Sequence, residues 1–102
     1  MTVILGGICV CPGKVEGVIR HFKEGQQYTK QDIVILERWM TQDVLTLKEA
    51  GALISAGGGI TCHASIISRE LKVPALISFD IMKLKEGQRV IVDTTEERVD
   101  IL

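Results

Sequence analysis

A run of three glycines, Gly57 to Gly59, stands between two apolar segments and constrains the fold of this chain more than any other feature. Before it, Ala52-Leu53-Ile54-Ser55 is typical of a strand buried on both faces. After it, the residues from His63 to Lys72 have the spacing of an amphipathic helix, which ends at Val73-Pro74 because proline disfavours a helical conformation in the residue before it. The sequence therefore predicts a strand, a glycine turn and a helix that begins near His63.

The start of that helix is suited to hold phosphate. Its first N–H groups have no partner within the helix, and the helix dipole places partial positive charge at the same end. His63 at this position is disfavoured as a cation and stays a neutral nucleophile. The simpler alternative is a histidine that only caps the helix. The glycine spacing fits neither the P-loop nor the dinucleotide-binding fingerprint, so covalent phosphate on His63 is favoured over a bound nucleotide.

The stretch from Gly58 to Ala75 resembles the swivelling phosphohistidine domain of the PEP-utilising enzymes, such as pyruvate phosphate dikinase, phosphoenolpyruvate synthase and enzyme I of the sugar phosphotransferase system. The positions that match the family pattern are Gly58, Gly59, Thr61, His63, Arg69, Pro74 and Ala75. Cys62 replaces the usual serine, and Ser68 the usual alanine. Weaker similarity at residues 7–17 and 90–93 extends the resemblance over nearly the whole chain.

This resemblance implies an α/β fold, a three-layer β/β/α swivelling phosphohistidine domain that spans residues 1–102 as a single domain. It implies that His63 is catalytic and is phosphorylated transiently. The residues expected to bind the phosphate are Gly58, Gly59, Thr61, Cys62, Ala64, Ser65 and Arg69. Spacing alone leaves Arg69 equally open to a surface salt bridge with Glu70 or a later acid, and Thr61 open to capping the helix.

The resemblance also implies partners. His63 would receive phosphate from ATP or phosphoenolpyruvate at an ATP-grasp nucleotide-binding domain or subunit. It would pass the phosphate to pyruvate or another acceptor at a PEP/pyruvate-binding domain. Phosphoryl transfer needs metal ions and cationic side chains in fixed positions, and 102 residues leave no room for those sites. Mg²⁺ and ATP are therefore expected at the partner domain, no cofactor on this one, and a phosphotransferase component that is inactive alone.

Composition excludes several other classes. The 12 basic and 13 acidic residues give a net charge of -1, without the basic excess of a nucleic-acid-binding protein. No apolar run reaches the roughly 20 residues of a membrane helix, and the apolar start lacks the preceding basic residue and the cleavage site of a signal peptide. Three cysteines, an odd number, favour free thiols in a reducing cytoplasm.

Two further functions stay open. One is a non-catalytic regulatory or interaction module that keeps the fold without the chemistry. The other is a small zinc-binding module whose ligands are Cys9, Cys11, Cys62 and His63. The zinc site is disfavoured because the spacing differs from Cys-x-x-Cys and a ligated His63 could not act as a nucleophile. We therefore expect no metal, and we interpret His21 as an ordinary surface or edge residue.

The remaining segments predict alternating strands and helices. Val3–Val10 and Lys14–Arg20 are expected to pair as a hairpin or a closely returning pair, Ile33–Leu36 and Ala75–Ser78 to be strands, and Arg98–Leu102 to pair back on Arg89–Asp93. Thr41 to Ala50 is predicted to be a short helix with Gly51 as its C′ stop. The apolar stripe of the helix after His63, which consists of Ala64, Ile66, Ile67 and Leu71, is expected to pack on the core.

Overall fold

A computed structural model of the chain describes residues 2–23, 25–37, 47–57, 59 and 63–102, without the side chains of His63 and Ala64. The strands are β1 (Thr2–Leu5), β2 (Ile8–Cys11), β3 (Lys14–His21), β4 (Asp32–Leu36), β5 (Ala52–Ser55), β6 (Ala75–Ile77), β7 (Arg89–Asp93) and β8 (Arg98–Ile101). Helix α1 spans His63–Leu71, and a 3-10 helix spans Ile81–Lys83. No helix in these ranges is long and apolar enough to cross a membrane.

The strands form one mixed sheet in the order β1-β8-β7-β3-β4-β5-β6-β2. Strands β3 to β6 pair with one another in parallel. The ladders β1–β8, β7–β8, β3–β7 and β2–β6 are antiparallel. Parallel strands are covered on both faces, which explains why Ile33 to Leu36 is a continuous apolar run whose four residues are all buried.

Two apolar clusters lie on opposite faces of the central strands. The first includes Val34, Leu36, Leu53, Ala75 and Ile77, with Ile67 of α1 packed against it. The second joins Ile33, Ile35, Ile54 and Leu76 to Ile4, Val90, Val92 and Val99, which come from β1, β7 and β8. The sheet must therefore bend so that β1, β7 and β8 cover the face that α1 leaves open. This confirms the α/β fold class and its β/β/α layers.

The predicted pairing of Val3–Val10 with Lys14–Arg20 is wrong. Gly6 and Gly7, with φ angles of 141° and 81°, divide the first segment into β1 and β2, which lie at opposite edges of the sheet. Strand β3 pairs with β4 and β7 instead. A Cβ at Gly7 would lie 3.2 Å from the carbonyl oxygen of Ile77, so this break requires glycine for space as well as for its φ angle.

Most later strands agree with the sequence. Strands β4, β5 and β6 lie where they were predicted, and β8 pairs with β7 as expected, with Val92 opposite Val99. Residues 41–46 of the predicted Thr41–Ala50 helix lie outside the described residues. Its end, residues 47–50, forms a turn in which the Ala50 N–H donates to the Leu47 carbonyl oxygen at 2.9 Å.

The predicted apolar stripe of α1 is wrong in part. Ile67 packs against the first cluster, but Ile66 and Leu71 are 42% and 41% exposed. Ser65 and Ser68 are fully buried instead. Small residues three positions apart allow the helix to lie close to the layer beneath it, and their hydroxyls donate to the carbonyl oxygens of Gly59, before the helix, and Val73, after it. The side chain of Ala64 lies outside the described residues.

Side chains close the outer edge of β2, which none of the described strands covers. The Cys9 N–H donates to Oε2 of Glu97 at 2.8 Å, and the Val10 carbonyl oxygen accepts from Nε of Arg69 at 3.0 Å. The Cys11 carbonyl oxygen accepts from Oγ1 of the fully buried Thr94 at 2.7 Å. Strand edges with unpaired backbone groups attract other strands, so these bonds protect β2 from such pairing.

Replacing Thr94 with valine is expected to destabilise the fold by about 2 kcal/mol, because the isosteric side chain leaves the buried Cys11 carbonyl oxygen without its donor. Thr95, the next residue, is exposed, so Thr95→Val is the matched control and should change the free energy of unfolding by less than about 0.5 kcal/mol. Urea denaturation of both variants measures the difference. Equal stability of the two would show that Thr94 does not secure the β2 edge.

Candidate functional site

Hydrogen bonds fix the backbone at the end of β5, where the glycine turn begins. Ser55, which is fully buried, donates from Oγ to the Gly57 carbonyl oxygen at 2.7 Å and accepts from the Gly57 N–H at 3.2 Å. The Ala56 N–H donates to the Leu36 carbonyl oxygen at 3.0 Å. The hydrogen bonds between Ser55 and Gly57 and between Ala56 and Leu36 therefore determine the direction in which the chain leaves the carboxyl edge of β4 and β5.

Helix α1 begins at His63, as the sequence predicts. Oγ of Ser65 donates to the carbonyl oxygen of Gly59 at 2.6 Å, which ties the first turn of the helix to the glycine turn. Buried serines thus bond to both described glycines of the turn, Ser55 to Gly57 and Ser65 to Gly59. Sequence reasoning placed Ser65 among the phosphate-binding residues and missed this positioning contact.

The other predicted site residues are described to different extents. A Cβ at Gly59 would meet no atom within 4 Å, so there is open space beside this glycine. Ala64 is the second residue of α1. Gly58, Thr61 and Cys62 lie outside the described residues, and their assignment to the site stays a prediction.

The charges of α1 leave the positive end of its dipole intact. Its first turn contains no acidic residue, and Arg69 is the basic residue of its last turn. An acidic side chain in the first turn would be attracted to the same N–H groups that a phosphate needs. These groups, at residues 63 to 66, are therefore not offset by a carboxylate of that turn.

Arg69 connects α1 to the edge of the sheet. Its side chain is exposed as a whole, and its Nε reaches the Val10 carbonyl oxygen of β2 across 59 positions of sequence. Its charge also acts on the thiol of Cys11, whose pKa is raised by burial, further raised by Cys9, and lowered by Arg69 to a smaller extent. Neither a contact to phosphate nor a salt bridge is needed to explain why this arginine lies here.

The end of α1 is fixed as well. The Val73 N–H donates to the Ser68 carbonyl oxygen at 3.1 Å and the Lys72 N–H to that of Arg69 at 3.2 Å, with Lys72 at a φ of 58°. This is a Schellman motif with lysine in the place that glycine usually takes. Oγ of Ser68 donates to the Val73 carbonyl oxygen at 2.8 Å, so a buried hydroxyl secures each end of the helix.

The residues of the disfavoured zinc site are described only in part. Cys9 and Cys11 are free thiols, while Cys62 and the side chain of His63 lie outside the described residues. Within the described ranges, no three His, Cys, Asp or Glu residues are grouped to hold a metal ion.

A cleft of about 770 Å³ lies at the carboxyl edge of β3 and β4. It is lined by His21, Phe22, Ile35, Leu36, Glu37, Ile81, Met82, Leu84, Lys85 and Glu86. His21 is exposed there, and its backbone N–H donates to Oε1 of Glu86 at 3.0 Å. This hydrogen bond lowers the pKa of the exposed Glu86 carboxyl group. Glu37, one of the lining residues, also lies close to the glycine turn. Its carbonyl oxygen would be 3.3 Å from a Cβ atom built on Gly57. No sequence pattern indicated this cleft.

Residues 28–97 match the family profile described as "PEP-utilising enzyme, mobile domain". The chain is 36% identical over 96 residues to a probable phosphoenolpyruvate synthase of Archaeoglobus fulgidus, an alignment that covers 89% of this chain and 13% of that protein. Across the first three such relatives the chain spans between 12% and 14% of the relative's length.

Solved structures show the same fold. A structure of enzyme I (nEIt) superposes with a TM-score of 0.58 at 28% identity, over 76% of this chain and 32% of that one. The holo-form of aconitase X from Thermococcus kodakaraensis superposes with a TM-score of 0.71 over 100% of this chain and 99% of the other, at 20% identity. At that identity, the second likeness concerns the fold alone.

Proposed function

Since the chain belongs to the family of mobile domains of PEP-utilising enzymes, we propose that it is a phosphoryl carrier whose His63 is transiently phosphorylated. The observation that carries the proposal is that α1 begins at His63 and is tied by Ser65 to the glycine turn. A phosphoryl group on this imidazole would lie near the N–H groups of the first helical turn, which have no carbonyl partner within the helix.

In the loading step, an imidazole nitrogen of His63 attacks phosphorus of ATP or phosphoenolpyruvate. The N–P bond forms while the P–O bond to the donor breaks, and the donor oxygen leaves with the electron pair. Transfer to pyruvate or another acceptor reverses this chemistry: an acceptor oxygen forms the new P–O bond, and neutral imidazole leaves. Each step shifts negative charge onto the phosphoryl oxygens, which N–H donors with partial positive charge stabilise without reorganisation.

The other components of the reaction belong to partners. We assign ATP and Mg²⁺ to an ATP-grasp domain or subunit, and the acceptor to a PEP/pyruvate-binding domain or another protein. In-line transfer requires metal ions and cationic groups on the donor phosphates, and a carrier needs only to present its histidine to each site in turn. Gly58, Gly59, Thr61, Cys62, Ala64 and Ser65 are proposed to surround the phosphate. Arg69, whose exposed side chain lies in the last turn of α1, is assigned to phosphate or partner contact. The odd number of cysteines, three, supports a reducing, cytoplasmic location.

Chemical phosphorylation with phosphoramidate tests the proposal without a partner. The chain has two histidines, and His21 is the internal control because it is exposed at the end of β3 and lies outside α1. We expect His63 to retain phosphate at an occupancy about tenfold higher than His21, since charge-assisted hydrogen bonds stabilise the product at His63 alone. Base-stable, acid-labile ³¹P signals in wild type and in His21→Ala measure this occupancy.

Amide chemical shifts of the phosphorylated protein test the mechanism separately. The backbone N–H signals of residues 63–66 should move on phosphorylation, because those groups are proposed to bond to the phosphoryl oxygens. If His63 carried phosphate and these signals stayed in place, the carrier function would stand and the helix mechanism would be wrong. Phosphate on His21 alone would contradict the carrier proposal and favour a non-catalytic module.

A further inference from the structure

The two edges of the sheet are finished in different ways. At the β2 edge, Glu97, Arg69 and Thr94 bond to backbone groups of three successive residues. At the β1 edge, within the part of the chain that the structure describes, no side chain bonds to the strand's backbone. A free edge with unpaired N–H and C=O groups is a template for another strand.

The outward groups of β1 are those of Val3 and Leu5. The Gly6 N–H donates to the Glu97 carbonyl oxygen at 3.0 Å, and bonded residues alternate along an antiparallel ladder. Since Leu5 is opposite Arg98, Ile4 bonds to β8, whereas Val3 and Leu5 direct their backbone groups to the free edge. Their side chains are also 42% and 71% exposed.

Strand β1 has only four residues, which limits edge pairing, but it lacks two other devices that prevent it, charged side chains and proline. The strand reads Thr2-Val3-Ile4-Leu5 and contains no charged residue, proline or glycine. We propose that β1 pairs antiparallel with β1 of a second copy of this chain, and that the dimer joins two sheets through this edge. The proposal is independent of the phosphoryl-carrier function.

One register satisfies the outward groups best. When Ile4 stands opposite the second copy's Ile4, Val3 faces the second copy's Leu5, and the reverse pair repeats it. All four outward residues then exchange N–H···O bonds, and the exposed side chains meet as two apolar cross-strand pairs. If one strand is shifted by two residues in either direction, only one of the two outward residues of each copy, Val3 or Leu5, still lies opposite a residue of the other β1.

Charges in the adjacent strand β8 are compatible with this register. Val3 is opposite Asp100 of its own chain and Leu5 is opposite Arg98, and these two side chains pair with each other, with Nε of Arg98 2.9 Å from Oδ1 of Asp100. Each row across the joined sheets has an acid at one end and a base at the other, so the register brings no like charges together. Ile4 packs in the cluster on the side of the sheet away from α1, so the pairing leaves the helix and its glycine turn uncovered.

Association of the purified chain is the first test. Sedimentation equilibrium should show a monomer–dimer transition with a midpoint between about 10 µM and 1 mM, as suits a small, transient interface. Hydrogen exchange provides an internal control, because the Val3 and Leu5 amides should become protected as concentration rises, while the Ile4 amide is protected throughout. A chain that stays monomeric at 1 mM, with or without protection of these amides, overturns the proposal.

Charge substitutions test the register. Leu5→Glu faces Arg98 and Val3→Lys faces Asp100 in their own chains, so neither variant should disturb its fold. Each alone should weaken the dimer about tenfold by removing two apolar cross-strand pairs. An equimolar mixture of the two variants should recover association, since the introduced carboxylate of one chain would stand opposite the introduced ammonium group of the other.

The matched control is Ile8→Lys, at a residue of similar exposure, 43%, on the protected β2 edge. Its dimerisation should equal that of wild type. Two results would contradict the proposed β1 interface. One is that Ile8→Lys weakens association as much as Leu5→Glu, and the other is that Leu5→Glu and Val3→Lys fail to associate when mixed.

Discussion

His63→Ala is expected to abolish phosphoryl loading by the cognate donor enzyme and to leave the fold intact. No other side chain at the start of α1 offers a nitrogen nucleophile, so the loss should be complete rather than partial. A residue at the first position of a helix contributes little packing, and the free energy of unfolding should change by no more than roughly 1 kcal/mol. Incubation with labelled donor and partner, followed by separation of acid-labile, base-stable label, measures loading.

His21→Ala is the control for that experiment and should load as wild type does. Its side chain is exposed at the end of β3. Equal labelling of wild type and His63→Ala would eliminate His63 as the carrier. If label disappeared in His21→Ala instead, the reactive centre would lie in the cleft at the carboxyl edge of β3 and β4.

The order of strand, glycine turn and helix was predictable because its signals are local. A continuous apolar run indicated β5, three glycines indicated the turn, and Pro74 indicated the end of α1. Each of these depends on residues within one element or its neighbour. The family resemblance added the fold class, since matches at spaced positions identify a three-dimensional arrangement that periodicity alone does not.

The arrangement of the sheet was less accessible because it depends on contacts distant in sequence. Gly6 and Gly7 looked like part of one apolar strand, yet their left-handed φ angles send β1 and β2 to opposite edges. Nothing near these glycines specifies that β8 and β6 are the partners. Short strands with similar residues fit several partners, and the bending of the whole sheet decides between them.

The buried face of α1 was misjudged for a related reason. Hydropathy favoured Ile66 and Leu71 over serine, but Ser65 and Ser68 can bury their hydroxyls because carbonyl groups of Gly59 and Val73 accept from them. Such acceptors are visible only in the folded chain. A sequence signal did exist: two serines three positions apart, each next to an isoleucine, can form a small polar face of a helix.

The structure explains the glycine at position 51 by a different physical reason from the one that the sequence suggested. The sequence suggested a helix C′ position, which requires a left-handed φ angle. Its φ lies outside that region, and close approach requires the glycine instead: a Cβ there would overlap the Lys30 carbonyl oxygen and lie 3.0 Å from Cγ1 of Val15. Both neighbours are constrained, because the Gly51 N–H bonds to the Asp32 carbonyl oxygen and Val15 is paired with Val92.

Gly51→Ala is therefore expected to destabilise the protein by about 3 kcal/mol. The Lys30 backbone lies between Thr29 and Gln31, whose carbonyl oxygens accept from Asp32 and Val18, and β3 cannot move without breaking strand pairing. Two other glycines calibrate this value. Gly59→Ala enters open space and should cost less than about 0.5 kcal/mol, while Gly25→Ala, which has space but a φ of 81°, should cost about 1 kcal/mol. Urea denaturation of all three variants measures these differences.

Gly51→Asn separates the two explanations, because a left-handed helix cap tolerates asparagine and a steric contact does not. Near-wild-type stability of Gly51→Asn would restore the helix-cap interpretation.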